Sequence, residues 1–505
     1  MDAASLSQFR QIFWVLLGFA ALVVNPFCVD GQALIPKKEV GVSLEVAADR
    51  IWQESQANSQ AYANLKELTL IGHRMSGTTN GEKAEEFVLL RAKGYGLKPL
   101  RYQPFAMQVW QRQFLELDVV PANSDHFVSY EAVALAHSPR EADVRARMID
   151  AGNGLKEDFE RVKDSVKGRV VLLNLGLEGN RQARKNLHRS EKMALVEEYG
   201  GAGAIFINNA PGKTLLTGTC SVDGNLVSAP AVCVGQDAGK ALRKWTTEEK
   251  LLAQMRMENT FDLRQARNVV ATIKGKSKAN EVIVLGAHLD SWDLATGATD
   301  NGLGSMVLLE AARLLEATGL QPERTIQFVW FMGEEQGLTG SRHFVELAKK
   351  KKKLNNIKYM LNFDMAGNAM GWNIGGFTKA SEFFTQTTAL LAAKDTALRN
   401  SLENTPDLHS DHQPFLLAGI PFAAPLADMP SHVYNCYHSD CDRINLIEPY
   451  YLDRTARLAA LIAYALATEK DLPAQRLNEE QTKQLLIKAG LKEKLQLGRD
   501  WPFSE

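Results

Sequence analysis

Between residues 267 and 367 short apolar runs alternate with amphipathic stretches, and this alternation narrows the possible folds more than any other feature. NVVATIKG, EVIVLGAHLD, TIQFVWFMG and IKYMLNFDMAG read as buried strands. GSMVLLEAARLLEATG reads as a helix ended by Gly319, and GSRHFVELAKKKKK as a second helix. Strands without polar alternation are covered on both faces, and intervening helices join them by crossovers. The predicted class is therefore α/β, with a mostly parallel central sheet and helices on both faces. Ligands of such sheets collect beyond the carboxyl ends of the strands. A functional site is expected along that rim.

Residues of metal-ligand type stand there in order. His288 closes VIVLGAH, Asp300 opens DNGLG, Glu334 and Glu335 follow FVWFMG, Asp364 ends YMLNFD, and His438 lies in YNCYHSDCD. Taken singly, each has a plain reading: a hydrogen-bonded His–Asp pair, a solvated Glu–Glu turn, an Asp that caps a strand. Jointly they form the ligand set of a two-metal site. Zinc takes imidazole and carboxylate ligands at about 2.0–2.2 Å, and paired ions sit about 3.5–4 Å apart under a shared carboxylate and water. Asp300 is the expected bridge, because its glycine-rich turn lets backbone approach closely. His288 with Asp364 and His438 with Glu335 are then the terminal pairs. Glu334 is left over and suits a general base. Asp290 is expected behind His288, accepting its imidazole N–H. HExxH, GxSxG and P-loop signatures are absent.

The rest of the chain sets the context. Its 505 residues exceed one ordinary core, so two or three units are expected. With 58 basic against 59 acidic residues there is no cationic surplus for nucleic acid. The lysine run 349–353 reads as the solvated end of a helix. Residues 44 to 100 are helical in pattern around the turn-rich loop HRMSGTTN, and LKPLRYQPFAMQVWQRQFLELDVVP is extended. Short strands and turns with helical patches follow, as in an inserted domain. IEPYYLDRTARLAALIAYALATE reads as a closing helix. A charged tail then carries one amphipathic stretch, TKQLLIKAGLKEKL, expected to pack on the surface or on a partner.

At the amino end Arg10 precedes IFWVLLGFAALVV, an apolar run of 13 residues. It is short for a membrane span, which takes about 20 residues, and has the length of a signal-peptide core. Gly31-Gln32-Ala33 offers a small-x-small cleavage site, with an uncleaved anchor as the alternative. Asn-Pro-Phe before Cys28 lacks the small residues that precede a lipid-modified cysteine. In an exported chain the remaining cysteines, Cys220, Cys233, Cys436 and Cys441, favour disulfides. Three connectivities are possible, of which the simplest is local, Cys220 with Cys233 and Cys436 with Cys441. The latter would stiffen the loop carrying His438.

GAHLDSWD, ATDNGLGS, GEEQG, NFDMAG, SDHQPFLLAGIP and YHSDCD together resemble the blocks of the M28 family of di-zinc exopeptidases. HLDSWD and HRMSGTTNGEKAEEF are most similar to its carboxypeptidase Q branch, and the inserted region is similar to a protease-associated (PA) domain. The resemblance implies a zinc-exopeptidase (phosphorylase/hydrolase-like) fold with a β-rich PA-like insert. The boundaries expected are a signal peptide at 1–33, the start of the catalytic domain at 34–121, the insert at 122–263, the zinc peptidase domain at 264–470 and the tail at 471–505. It implies two zinc ions on His288, Asp300, Glu335, Asp364 and His438, with Glu334 as base and Asp290 behind His288. Release of amino-terminal residues or hydrolysis of dipeptides is the implied reaction, by an exported homodimer acting on small peptides.

One departure is PDLH before Ser410, where some relatives carry an oxyanion-donating tyrosine. His409, His412 and Tyr434 are the substitutes on offer, with His412 equally a turn residue. Two other readings share the fold: a one-zinc glutaminyl-cyclase-like acyl transferase, and a non-catalytic receptor-like binding protein. Both would be expected to lose ligands, and the complete set argues against them.

Overall fold

The structure is a computed structural model that describes residues 38–504, apart from 123, 125, 179–184 and 249. The leader expected at 1–33, with Arg10 and Cys28, lies outside the described residues.

Three neighbouring parallel strands position the site. Lys278–His288 lies between Ile357–Asn362 and Arg324–Phe331, with Phe331 opposite His288 and Asn362 opposite Gly286. Their apolar side chains, among them Ile283, Leu285, Phe328, Trp330, Tyr359 and Leu361, are buried, as strands covered on both faces require. All three therefore end at one level. Phe422–Ala427 extends the parallel set, Ala369–Asn373 runs antiparallel beyond it, and Leu251–Ile273 closes the other side antiparallel. Helices Gly304–Ala317 and Pro449–Thr468 pack on each other and on this sheet. Elsewhere Phe344 of helix Thr339–Lys350 and Phe415 of helix Gln413–Leu417 gather around Phe331, with ring centroids 5.8–6.3 Å apart. The lysines at the end of Thr339–Lys350 are mostly exposed, as their run predicts.

The amino-terminal helical stretch breaks at Ser59, giving Leu44–Asn58 and Ala61–Thr69. Ser59 leaves the helix to donate its hydroxyl to Asp453 at 2.5 Å. Thr78 then caps helix Thr79–Gly94, accepting the Gly81 N–H at 3.2 Å.

Two long strands, Leu100–Pro121 and Leu251–Ile273, pair antiparallel and lead into and out of the insert. Within it Glu141–Asp150, Val170–Asn174, Gly203–Ile207 and Ala231–Val234 run parallel in that order, with Ala132–Ala134 antiparallel at the edge. Helices Lys156–Val166, Arg189–Glu198 and Gln236–Glu248 accompany them. The insert has its own core around Phe159, Leu173, Met193 and Phe206.

The tail forms helices Glu479–Lys488 and Lys492–Leu497 and packs on its own chain. Leu486, Leu491 and Leu495 join the main core, while Leu497 packs against the core of the insert. Among the described residues no helix is long and apolar enough to cross a membrane.

Cys436 and Cys441 are joined by a disulfide. The pairing expected of Cys220 and Cys233 is corrected: both are unpaired and buried. Cys233 sits in the fully buried strand Ala231–Val234, and the Cys220 thiol lies 3.1 Å from the Ala136 carbonyl. Each behaves as a small apolar core residue.

Candidate metal centre

The rim brings the ligand-type residues together. Asp300 lies between the histidines, its Oδ1 3.2 Å from His288 Nε2 and its Oδ2 2.9 Å from His438 Nε2. Asp364 Oδ1 is 3.3 Å from His288 Nε2, and Glu335 Oε2 is 3.0 Å from His438 Nε2. His288 is thus grouped with Asp364 and His438 with Glu335, and Asp300 stands between the two histidines. The half-buried Glu334 lines the same cavity, and its carboxylate has no hydrogen-bond partner among the described residues.

Each histidine is oriented from behind. His288 Nδ1 lies 3.1 Å from the Asp290 backbone carbonyl and 3.7 Å from the Asp290 carboxylate, so the carbonyl is the nearer acceptor. The Asp290 carboxylate instead accepts the Glu334 N–H at 3.4 Å. His438 Nδ1 lies 3.2 Å from the Thr217 carbonyl, and Thr217 returns its N–H to the His438 carbonyl at 3.0 Å. Thr217 belongs to the insert, so the insert orients a residue of the rim. With Nδ1 donating to a carbonyl, each ring turns its Nε2 inward toward the carboxylates, where it would ligate a metal once its proton is displaced.

Further braces were not apparent in the sequence. Asp442 accepts the N–H groups of Thr299 at 2.7 Å and Asp300 at 3.0 Å, holding the turn that carries Asp300. Ser410 donates to Asp364 Oδ2 at 2.7 Å, and Asn362 donates to Ser410 at 2.8 Å. Arg74, from HRMSG, is fully buried behind the site. Its guanidinium donates to the carbonyls of Leu289 at 2.9 Å and Gly297 at 2.8 Å, and also to that of Thr296.

The electrostatics bear on what the set can hold. Burial pushes the Glu335 carboxyl up to about 7, with the His438 charge opposing and that of Asp300 adding to the rise. Burial also holds Glu334 well above the usual carboxylate range. Burial disfavours an ionised Asp300, yet its hydrogen bonds with both histidines keep its carboxyl far below that range. At His438 burial opposes protonation, but Glu335 and Asp300 outweigh it and raise the ring to about 9. Such a buried set is short of positive charge. Glu335 Oε1 has no hydrogen-bond partner among the described residues, and ligand atoms of His288, Asp300 and Glu335 lie within 4.8 Å of one another. Imidazole nitrogens with carboxylate oxygens are the donor chemistry zinc selects, so the residues fit that metal.

The rim opens into a cavity of about 970 Å³. Its walls come from the sheet rim, from the insert (His188, Arg189, Asp223) and from the tail (Lys494, Arg499). Arg499 reaches Asp223 at 2.7 Å, and Asp500 is clamped by Arg342 at 2.7 and 2.8 Å. The buried Arg189 has an Nε without a partner among the described residues. Of the oxyanion candidates, His412 stacks on Phe422 with its nitrogens near Asn362 and the Asp407 carbonyl, as a structural turn residue would. His409 stacks on His188, and Tyr434 is largely exposed at the cavity wall.

Comparison with known proteins points the same way. Peptidase family M28 matches residues 268–463, and the PA domain matches residues 128–242. The chain is 27% identical over 430 residues to aminopeptidase YwaD of Bacillus subtilis, a match covering 82% of this chain and 86% of that protein. It is 24% identical over 426 residues to carboxypeptidase Q of Homo sapiens, covering 83% and 87% respectively. A solved zinc aminopeptidase from Bacillus subtilis superposes with a TM-score of 0.59 at 26% identity, covering 83% of this chain and 98% of that one. The rim geometry and these likenesses agree: residues 268–463 of this chain match peptidase family M28, and the PA-domain match at residues 128–242 is the insert ahead of them.

Proposed function

We propose that this chain is a zinc-dependent exopeptidase that hydrolyses the peptide bond next to a free amino terminus, as an aminopeptidase or dipeptidase. The observation that carries the reading is the pairing at the rim: two buried histidines, each facing the shared Asp300 and one further carboxylate. His288 with Asp364 and His438 with Glu335 would hold two ions, bridged by Asp300. When bound, such ions polarise a carbonyl and lower the pKa of water.

The side chains account for the rest. Glu334, with an unengaged carboxylate in the cavity, takes the proton of the attacking water and returns it to the departing amine. The Asp290 carboxylate steadies Glu334 through its backbone N–H. Residues of the insert and the tail help to wall the cavity, which suits the end of a chain better than a chain running through. Arg189 lines the same cavity, and its positive charge suits the carboxylate of a short peptide. The apolar leader and the Cys436–Cys441 disulfide support export.

The test is product analysis by mass spectrometry on zinc-loaded protein given peptides of graded length, each with a free or an acetylated amino end. Cleavage confined to free amino ends is expected, fastest on the shortest members. Equal cleavage of acetylated peptides, or release from the carboxyl end of long ones, would overturn the reading.

A further inference from the structure

The insert presents a histidine to the cavity in a defined tautomer. His188 is the N-cap of helix Arg189–Glu198: its Nδ1 accepts the Ser190 N–H at 3.3 Å, and Glu191 accepts the His188 N–H at 2.7 Å. Nδ1 also lies 2.7 Å from the Ser190 hydroxyl; with the Ser190 N–H directed at Nδ1 we assign that hydroxyl as a second donor, which places the proton of the neutral ring on Nε2. Nε2 has no hydrogen-bond partner among the described residues, the residue is only partly buried, and it lines the cavity shared with His288, Asp300 and His438. Desolvation, helped by the charges of Arg189, His409 and His438, keeps the ring pKa well below its ordinary value. The ring is thus a neutral hydrogen-bond donor.

Its placement is fixed from both sides. His188 stacks on His409 with ring centroids 4.6 Å apart, and His409 lies 3.5 Å from Glu191. His409 immediately precedes Ser410, which hydrogen-bonds Asp364. His188 therefore leans on the segment where the sequence lacks a tyrosine donor.

We propose that His188 is a catalytic residue, donating its Nε2–H to the scissile carbonyl oxygen as that oxygen gains negative charge. This role rests on the exopeptidase function proposed above. As the water oxygen bonds to the carbonyl carbon, the π pair moves onto the carbonyl oxygen and Glu334 takes a water proton. As the π bond re-forms, the C–N bond breaks and Glu334 passes that proton to the leaving nitrogen. His188 keeps its own proton throughout and acts by hydrogen bonding alone.

The test uses His188→Asn and His188→Asp, which keep a capping side chain and remove the Nε2 donor. Steady-state kinetics on a dipeptide are compared with zinc content and thermal midpoint. Expected is a fall in kcat of about 10²–10³-fold, the cost of removing one oxyanion donor, with KM unchanged. Zinc content and midpoint should match the wild type, and Tyr434→Phe should leave kcat unchanged. Wild-type kcat in both His188 variants would overturn the proposal, as would a rise in KM alone, which marks ground-state binding. Transfer of the kcat loss to Tyr434→Phe would assign the donor there instead. If the wild-type protein cleaves no peptide while holding its zinc, the exopeptidase reading fails and this role falls with it.

Discussion

Replacing Arg74 with methionine tests whether the site depends on a brace buried behind it. The apolar stem is largely kept and only the guanidinium is lost. That group donates to the carbonyls of Leu289, Thr296 and Gly297 inside a fully buried setting. Burial lowers its pKa to about 10, with the charges of Asp442, Asp290 and Asp300 opposing, so it is cationic at neutral pH. An acceptor left unpaired in the interior costs about 1–3 kcal/mol, and removing one partner of a buried charge cluster costs about 3–5 kcal/mol. These overlap, and a loss of about 3–5 kcal/mol is expected for Arg74→Met, a large part of the about 5–15 kcal/mol typical of folded domains. Because Gly297 opens the turn that carries Asp300, metal affinity should fall as well. Urea unfolding followed by tryptophan fluorescence, with zinc measured on the same samples, reads both effects. A midpoint and zinc content equal to wild type would refute the account of Arg74 as the brace.

The remaining perturbations reach other links. Glu334→Gln removes the proton carrier and leaves the ligand set, so turnover should vanish while zinc is retained; loss of zinc would mean that Glu334 is itself a ligand. Reducing the Cys436–Cys441 disulfide should loosen the loop presenting His438 and lower zinc retention, read by metal release after mild reduction; unchanged release would show that the Thr217 contacts suffice. His137 is fully buried in the insert, and desolvation lowers its pKa to about 4. The unfolded chain binds that proton from about pH 6.5 downward and the folded chain does not, so stability is lost as pH falls from about 6.5 to 4, by about 3 kcal/mol in all. His137→Asn, which suits the positive φ of 70° there, should remove that share of the acid loss; an unchanged difference between pH 7 and pH 4.5 would contradict it.

The parts legible in the sequence were those written in local pattern. The buried strands, their level ends and the ligand-type residues just beyond them follow from apolar runs and their spacing. The supports were not legible, because they are backbone contacts between distant segments. The Thr217 carbonyl behind His438 lies 221 residues away, and no residue type marks it. Asp442 appeared in the motif YHSDCD, yet nothing there shows that it holds the amides of Thr299 and Asp300. HRMSG read as a turn-rich loop, although its arginine is the buried cation of the site. The first helical stretch had no local signal for its break, since the partner of Ser59 is Asp453. Cysteine counting favoured a second disulfide, but core packing took Cys220 and Cys233 separately. The amphipathic tail correctly announced a buried face, and only tertiary structure shows that it helps wall the cavity.

The central claim is that Asp300 joins two metal lobes into one reaction centre, and metal stoichiometry of Asp300→Ala tests it most directly. Elemental analysis should find two zinc ions per chain in the wild-type protein. Loss of most zinc and all peptide hydrolysis is predicted for the variant, because both histidines lose the carboxylate they share. Two ions still bound per variant chain would contradict the bridge.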